Sequence, residues 1–308
     1  MENTAMPDNR IVWINGRLIP WEEATVHLMS HSIGRGSAIF EVVGFHDTDM
    51  GSAIFRMDEH IKRLFKTAEL LSMELPFSPD DLYHAITSTV RRNNLREGFI
   101  KIIGYYPQIA FEILPPQKKL DLGIFVIGPG DEPVDLHCTT GTTLCISKWF
   151  KLDSRSVPIE AKVAANYLNG MMARMEARQR GYDFAVMLDA NGCLTEGGTE
   201  SIFLVNNHIL MTPAPGTVLR SITRKSLLEV AKREGIETCE GKLHNGLLID
   251  TDEIFLSGTP EKLLPVRQVE ERTVENTPGP VTRRLSGVMD AILKGRDDRF
   301  THWLFPVS

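Results

Sequence analysis

Lys162 lies in the run Ile159 to Tyr167, flanked by alanines and Val163 just before a helical stretch. Burial among such residues favours the neutral form of an amine. A neutral lysine can attack a carbonyl and form a Schiff base. The competing reading is a lysine at a helix start that snorkels to the surface. A second candidate is the junction Arg220 to Lys225, where Ser221 precedes a helical pattern. Backbone N–H groups at a helix N-terminus lack intrahelical partners and form an anion site, strongest for phosphate. The competing reading is an ordinary capped helix. Ser257-Gly258-Thr259 ends a short apolar strand; the glycine permits close backbone approach to a ligand and the threonine offers an N–H and a hydroxyl. Glu196 stands beside Gly197 and Gly198 on an otherwise apolar strand, a costly place for a carboxylate unless a cation or solvent meets it. Arg56, after Ala53-Ile54-Phe55, could contact a phosphate or pair with Asp58 or Glu59. His27 and His31 are four apart without an HExxH glutamate, so no metal site is expected. Met171, Met172 and Met175 are expected in the core.

These groups need elements to carry them. Ile11–Ile14 and Arg17–Ile19 flank Asn15-Gly16, a hairpin signal. Strands are expected over Ser37–Phe45, Ala53–Arg56, Phe99–Tyr105 and Leu122–Ile127, with helices over Glu59–Ser72 and Pro79–Asn94, the latter capped by Ser78. After the breaker cluster Gly128 to Pro133, strands are expected at Leu144–Trp149, Phe184–Leu188, Cys193–Val205, Ile209–Met211 and Ile254–Ser257. The Cys193–Val205 strand is broken at Gly197-Gly198. Helices are expected from Ala165 to Arg180, from Ser221 to Glu234 and from Pro280 to Leu293. Strands in hairpins with helices between the groups predict an α+β or mixed α/β class rather than a doubly wound sheet. The expected organisation is a small N-terminal domain over 1–127, a linker over 128–136 and a larger C-terminal domain over 137–308.

The chain has 308 residues and a formal net charge of −6, which argues against a dedicated nucleic-acid binder. Its 4 cysteines, at 138, 145, 193 and 239, form no CxxC pair, and a reduced, cytoplasmic protein is expected. Met1–Arg10 has no apolar core and does not read as a signal peptide. The apolar run Ile124–Ile127 is far short of a membrane span.

Together these segments resemble the class IV aminotransferases, fold-type IV enzymes that use pyridoxal 5′-phosphate (PLP). Glu160-Ala161-Lys162 with Asn166-Tyr167-Leu168 is similar to the family's Schiff-base lysine motif. Leu194 to Gly198 with Ile202-Phe203 is similar to its second signature, and Ser221 to Arg224 and Ser257 to Thr259 to its phosphate segments. Asn15-Gly16, Ser30-His31, Phe40-Glu41, Phe55-Arg56, Glu59-His60 and Arg63-Leu64 match its N-terminal half. The resemblance implies a small N-terminal α/β domain and a larger C-terminal pseudo-barrel domain, PLP between them, and a homodimer or higher oligomer. It implies that Lys162 binds PLP covalently and moves the substrate proton, that Glu196 pairs with the pyridine nitrogen, and that Tyr167 bonds the phenolic oxygen. Leu219 would pack on the ring, and Arg56, Ser221, Ile222, Thr223, Gly258 and Thr259 would hold the phosphate.

The chain resembles the bacterial branched-chain aminotransferases in particular, through Trp21 to His31 and the tail at Trp303-Leu304. That implies an amino group moved from an L-branched-chain amino acid to 2-oxoglutarate. Substrate positions by this resemblance are Arg35, Phe40, Val42, Phe99, Lys101, Thr259 and Pro260. Several depart from the subfamily, which usually has Tyr at Arg35, Gly at Val42, Arg at Gly44 and a Tyr-x-Arg pair at Phe99-Ile100-Lys101. Those departures keep open a D-amino acid or (R)-amine transaminase. An aminodeoxychorismate-type lyase and a non-catalytic PLP binder remain as further alternatives.

Overall fold

The computed structural model describes residues 9–129, 131, 141–260 and 262–307. Its contacts divide the chain into two compact units, Met1–Asp135 with Ala161–Ala165 and Ala291–Ser308, and Leu136–Glu160 with Asn166–Asp290. Of the expected linker 128–136, only Gly128, Pro129 and Asp131 fall among the described residues; Cys138 and Met1–Asp8 do not. Ala161–Ala165 and Ala291–Ser308, expected in the C-terminal domain, count instead with the first unit. The reason is backbone pairing: Ala164 N–H donates to the Ala38 carbonyl (2.8 Å) and Ala165 N–H to the Gly36 carbonyl (3.1 Å).

In the first unit, β1 (Ile11–Ile14) and β2 (Arg17–Pro20) form the expected hairpin. Asn15 (φ 46°) and Gly16 (φ 90°) both take the left-handed conformation that this tight turn requires. A short helix α1 (His31–Arg35) leads into β3 (Ile39–Thr48), β4 (Gly51–Phe55), α2 (Met57–Leu70), α3 (Pro79–Asn93), β5 (Gly98–Tyr105) and β6 (Asp121–Ile127). Ser78 and Asp81 cap α3 reciprocally, with Pro79 at its first position. Alternation along β3 buries Ile39, Val43 and Phe45 against Ile61 and Leu64 of α2 and Leu82 and Ile86 of α3. Phe40 and Val42 occupy the opposite face of the strand.

The second unit holds β7 (Thr142–Ile146), most of α4 (Ala164–Gln179), β8 (Phe184–Val186), β9 (Ser201–Asn206), β10 (Ile209–Pro213) and α5 (Ile222–Arg233). They are followed by β11 (Thr238–Gly241), α6 (Leu247–Asp250), β12 (Glu253–Ser257), β13 (Leu264–Val269), β14 (Arg272–Thr273) and α7 (Pro280–Leu293). Its 8-stranded sheet runs β11-β10-β9-β12-β13-β7-β8, with β14 on β13. The β10–β11, β13–β7 and β7–β8 pairs are parallel and the others antiparallel, the mixed α/β arrangement expected. The chain ends in a 3-10 turn, Asp298–Trp303, and β15 (Leu304–Pro306), which pairs with β4 at the edge of the first unit's 7-stranded antiparallel sheet.

Two expectations need correction. The strand expected from Cys193 begins at Ser201. The glycine pair ahead of it serves a close approach: a Cβ on Gly170 of α4 would collide with the Gly198 carbonyl. Met171 and Met175 are exposed rather than core, because α4 buries Gly170, Ala173, Glu176 and Ala177. The small residues on that stripe let the helix lie tightly on its neighbours, which puts the methionines outside.

Candidate functional site

The first unit supplies two cationic side chains, each set against an aromatic ring. Lys162 is held by its own backbone: its N–H donates to Thr67 Oγ1 of α2 (3.1 Å) and its carbonyl accepts from Phe40 N–H (3.0 Å). Its half-buried side chain brings Nζ to 4.7 Å from the centroid of the Phe40 ring. In the β3–β5 register Val42 faces Lys101 and Gly44 faces Phe99. Phe40, Val42, Phe99 and Lys101 therefore share one face, and Lys101 Nζ lies 5.8 Å from the same Phe40 ring. Four of the expected substrate residues thus share the sheet face on which Phe40 meets Lys162. Arg35, exposed on α1, donates to the Phe111 carbonyl (3.3 Å).

Directly behind Phe40, on the buried face of β3, is Glu41, with no exposed surface. A carboxylate there needs partners, and α2 provides them. Arg63 donates Nε to Oε1 (2.7 Å) and Nη2 to Oε2 (2.6 Å), and His60 Nδ1 lies 2.8 Å from Oε2. Burial pushes the Glu41 carboxyl up, but the Arg63 charge and the hydrogen bonds from Arg63 and His60 outweigh it and bring the pKa to about 2. Burial holds His60 below its ordinary value despite Glu41. This network pins β3 to α2, the two elements that grip the Lys162 backbone. Arg56, buried at the start of α2, stacks its guanidinium 4.4 Å from the Trp303 ring centroid.

The second unit supplies a carboxylate and backbone donors. Glu196, only 8% exposed, pairs Oε1 with Lys151 Nζ at 2.6 Å. Its Oε2 accepts from Leu219 N–H at 3.1 Å, two residues before Ser221. Ser221 caps α5 by accepting from Arg224 N–H (3.2 Å). The first-turn N–H groups of Ile222 and Thr223 have no carbonyl four residues back within the helix and project from its positive end. Arg224 turns away, donating to Thr212 Oγ1, the Pro213 carbonyl and Glu240. Gly258, Thr259 and Pro260 follow β12, and the buried hydroxyl of Ser257, just before them, has no hydrogen-bond partner among the described residues. Tyr167 is half-buried on α4.

Sequence reading missed Lys151, Thr67 and the Glu41–His60–Arg63 network. Lys151 sits 45 positions from Glu196 in a loop without periodicity. The network did leave a signal: a glutamate on the core-facing register of a strand, beside a helix with His and Arg three apart.

The amino-transferase class IV family model matches residues 38–269. The branched-chain-amino-acid aminotransferase of Salmonella typhimurium is 33% identical over 304 residues, covering 96% of this chain and 97% of its own. Among solved structures, the branched-chain aminotransferase of Thermoproteus uzoniensis with norvaline superposes with a TM-score of 0.93 at 30% identity, covering 97% of this chain and 99% of that one. The PLP-form branched-chain amino acid aminotransferase of Thermobaculum terrenum gives 0.91 at 30% identity, with 98% and 99% covered. A family model spanning most of the chain and relatives aligned along nearly all of it place the protein: it belongs to the class IV aminotransferases and has their fold type IV architecture.

Proposed function

We propose that this PLP-dependent aminotransferase moves the amino group of branched-chain L-amino acids to 2-oxoglutarate. The residues fit the cofactor. A helix start with Ile222 and Thr223 N–H groups, and the Ser257 hydroxyl, without a hydrogen-bond partner among the described residues, beside Gly258 and Thr259 suit a phosphate. Glu196, paired with Lys151, is set as an anion for a protonated ring nitrogen, and Leu219 N–H fixes its direction. Arg56 would add charge at the phosphate, Tyr167 would bond the phenolic oxygen, and Lys162 would carry PLP. When bound, PLP supplies an aldehyde carbon for the amino group and an electron-poor ring that draws charge from the substrate Cα.

The chain's own residues do the rest. Lys162 Nζ would take up the proton that leaves the substrate Cα, which requires an amine held in place while its proton changes hands. The Thr67 and Phe40 backbone bonds hold it. The Phe40 ring covers one side of the Lys162 amine, and the face that it shares with Val42 and Phe99 favours an aliphatic side chain. Lys101 on that face gives a cation for a substrate carboxylate. The observation that carries the reading is the Lys162 amine over Phe40, beside an apolar patch that ends in one lysine.

A second copy of the chain is part of this reading. Leu28, Phe111, Ile113 and Leu114 in the first unit are 71–83% exposed, and Leu168, Met171 and Met175 on α4 are each more than half exposed. Apolar surface on that scale calls for cover, and we assign it to a homodimer. A cytoplasmic setting agrees with the free thiols of Cys145, Cys193 and Cys239.

The test is a donor panel read against 2-oxoglutarate and pyruvate. Turnover of leucine, isoleucine and valine is expected. Turnover of D-alanine or (R)-1-phenylethylamine without any of those three would replace the substrate assignment, and pyruvate release from aminodeoxychorismate without an acceptor would replace the reaction type.

A further inference from the structure

We propose that Trp303 is a positioning residue for Arg56, so that the C-terminal tail governs how tightly the protein holds the phosphate of PLP. This rests on the reading of Arg56 as a phosphate contact. Arg56 sits in a conformation that side chains with a Cβ seldom adopt, φ 51° and ψ 39°, at the junction of β4 and α2. Such a residue persists only where its surroundings leave no alternative. Here the surroundings are the tail. Arg56 N–H donates to the Trp303 carbonyl at 2.7 Å, and Leu304 then pairs with Phe55 in the β15–β4 ladder. The Arg56 carbonyl accepts from His60 N–H (3.1 Å) and so enters the first turn of α2.

The side chain is fixed by the same residue. The guanidinium carbon lies 4.4 Å from the indole centroid, and Arg56 and Trp303 are only 4% and 3% exposed. Contact with the indole face fixes where the guanidinium sits, and a guanidinium is the group that grips an anion through two hydrogen bonds. Trp303 is itself held, with Phe300 at 4.4 Å and Phe55 edge-on at 5.8 Å between centroids. A tail some 250 residues from Arg56 in sequence thereby holds both its backbone and its guanidinium.

The experiment strips the full-length protein of PLP and measures the dissociation constants of PLP and of pyridoxal, which lacks the phosphate, for wild type, Trp303→Leu, Trp303→Phe and Arg56→Gln. Trp303→Leu is expected to weaken PLP roughly tenfold and leave pyridoxal unchanged. Trp303→Phe, which keeps an aromatic face and the strand pairing, should recover most of that loss. Equal weakening of both ligands would show a merely structural role and overturn the inference, as would no weakening of PLP. Should Trp303→Leu fail to fold, Phe300→Leu, which loosens the ring packed 4.4 Å from the Trp303 centroid, takes its place: weaker PLP with pyridoxal unchanged would support the inference, and equal weakening or none would overturn it. Selective loss of PLP in Arg56→Gln without loss in the Trp303 variants overturns the inference alone. No selective loss in Arg56→Gln removes the reading of Arg56 on which it stands.

Discussion

The two units present opposite chemistry by opposite means. The first offers cations, Lys162 and Arg56, each laid against an aromatic ring and fixed by segments far away in sequence: 40 and 67 for one, 303 for the other. The second offers a carboxylate and backbone N–H groups, most of them fixed locally. Ser221 caps its own helix, and Leu219 N–H reaches Glu196 from the residues just before that cap. A lysine or arginine is a flexible side chain that loses much rotamer freedom when ordered, so placing it needs a ring face and a pinned backbone. Backbone N–H groups at a helix start are already rigid and need only the helix.

Lys162→Ala is the most severe break of this comparison. In the proposed reading it removes both the covalent link to PLP and the proton carrier, so turnover should fall about 10⁴-fold, with no cofactor retained on the chain by mass spectrometry after borohydride reduction. PLP should still bind reversibly if the second unit's anion site is as independent as its local construction implies. Complete loss of PLP binding would show that the cations dominate.

Glu196→Gln tests the other side. Loss of the charge opposite the ring nitrogen should lower kcat about 10²–10³-fold while PLP stays bound. Lys151→Met, which leaves Glu196 in place but without its 2.6 Å partner, should cost roughly 10–100-fold and be rescued by Lys151→Arg. If Lys151→Met matched wild type, Leu219 N–H alone would suffice to set Glu196.

The remaining effect is on stability rather than turnover. Glu41 has its folded pKa lowered from 4.5 to about 2, so the unfolded chain takes up a proton first as pH falls. The stabilisation is present above about 4.5 and is lost on the way down to about 2. His60, held below its ordinary 6.5 by burial, adds a loss that begins below that pH. Glu41→Gln should cost about 3–5 kcal/mol at neutral pH, because it takes the buried negative charge away from Arg63, and should flatten the acid limb of denaturant-measured stability. An unchanged slope between pH 4.5 and 2 would assign that limb to other carboxylates.

Much of the fold was readable from local signals. The Asn15-Gly16 turn, the Ser78 and Ser221 caps and the period of α2 each follow from residues within one or two turns of one another, and each is present. Glycine spacing at 197 and 198 correctly indicated a close approach, although the strand assigned across it was too long. β11, β13 and β15 escaped, being short strands whose identity depends on the neighbour they pair with. The Met171 and Met175 expectation failed because composition reports that a helix has an apolar side, and the stripe of small residues at 170, 173 and 177 decides which side packs.

The amino-acid order alone therefore singled out the candidate groups, namely an amine, a carboxylate and a capped helix start, because motif spacing and capping are local properties of the chain. Only the tertiary structure decided what holds them: Thr67 and Phe40 on Lys162, Lys151 on Glu196, Trp303 on Arg56. Those partners lie between 45 and 247 residues from the groups they hold, and a hydrogen bond or ring contact across such a distance leaves no periodic trace in either segment. It exists only once the sheets have closed over their cores and removed the water that would otherwise compete for each group.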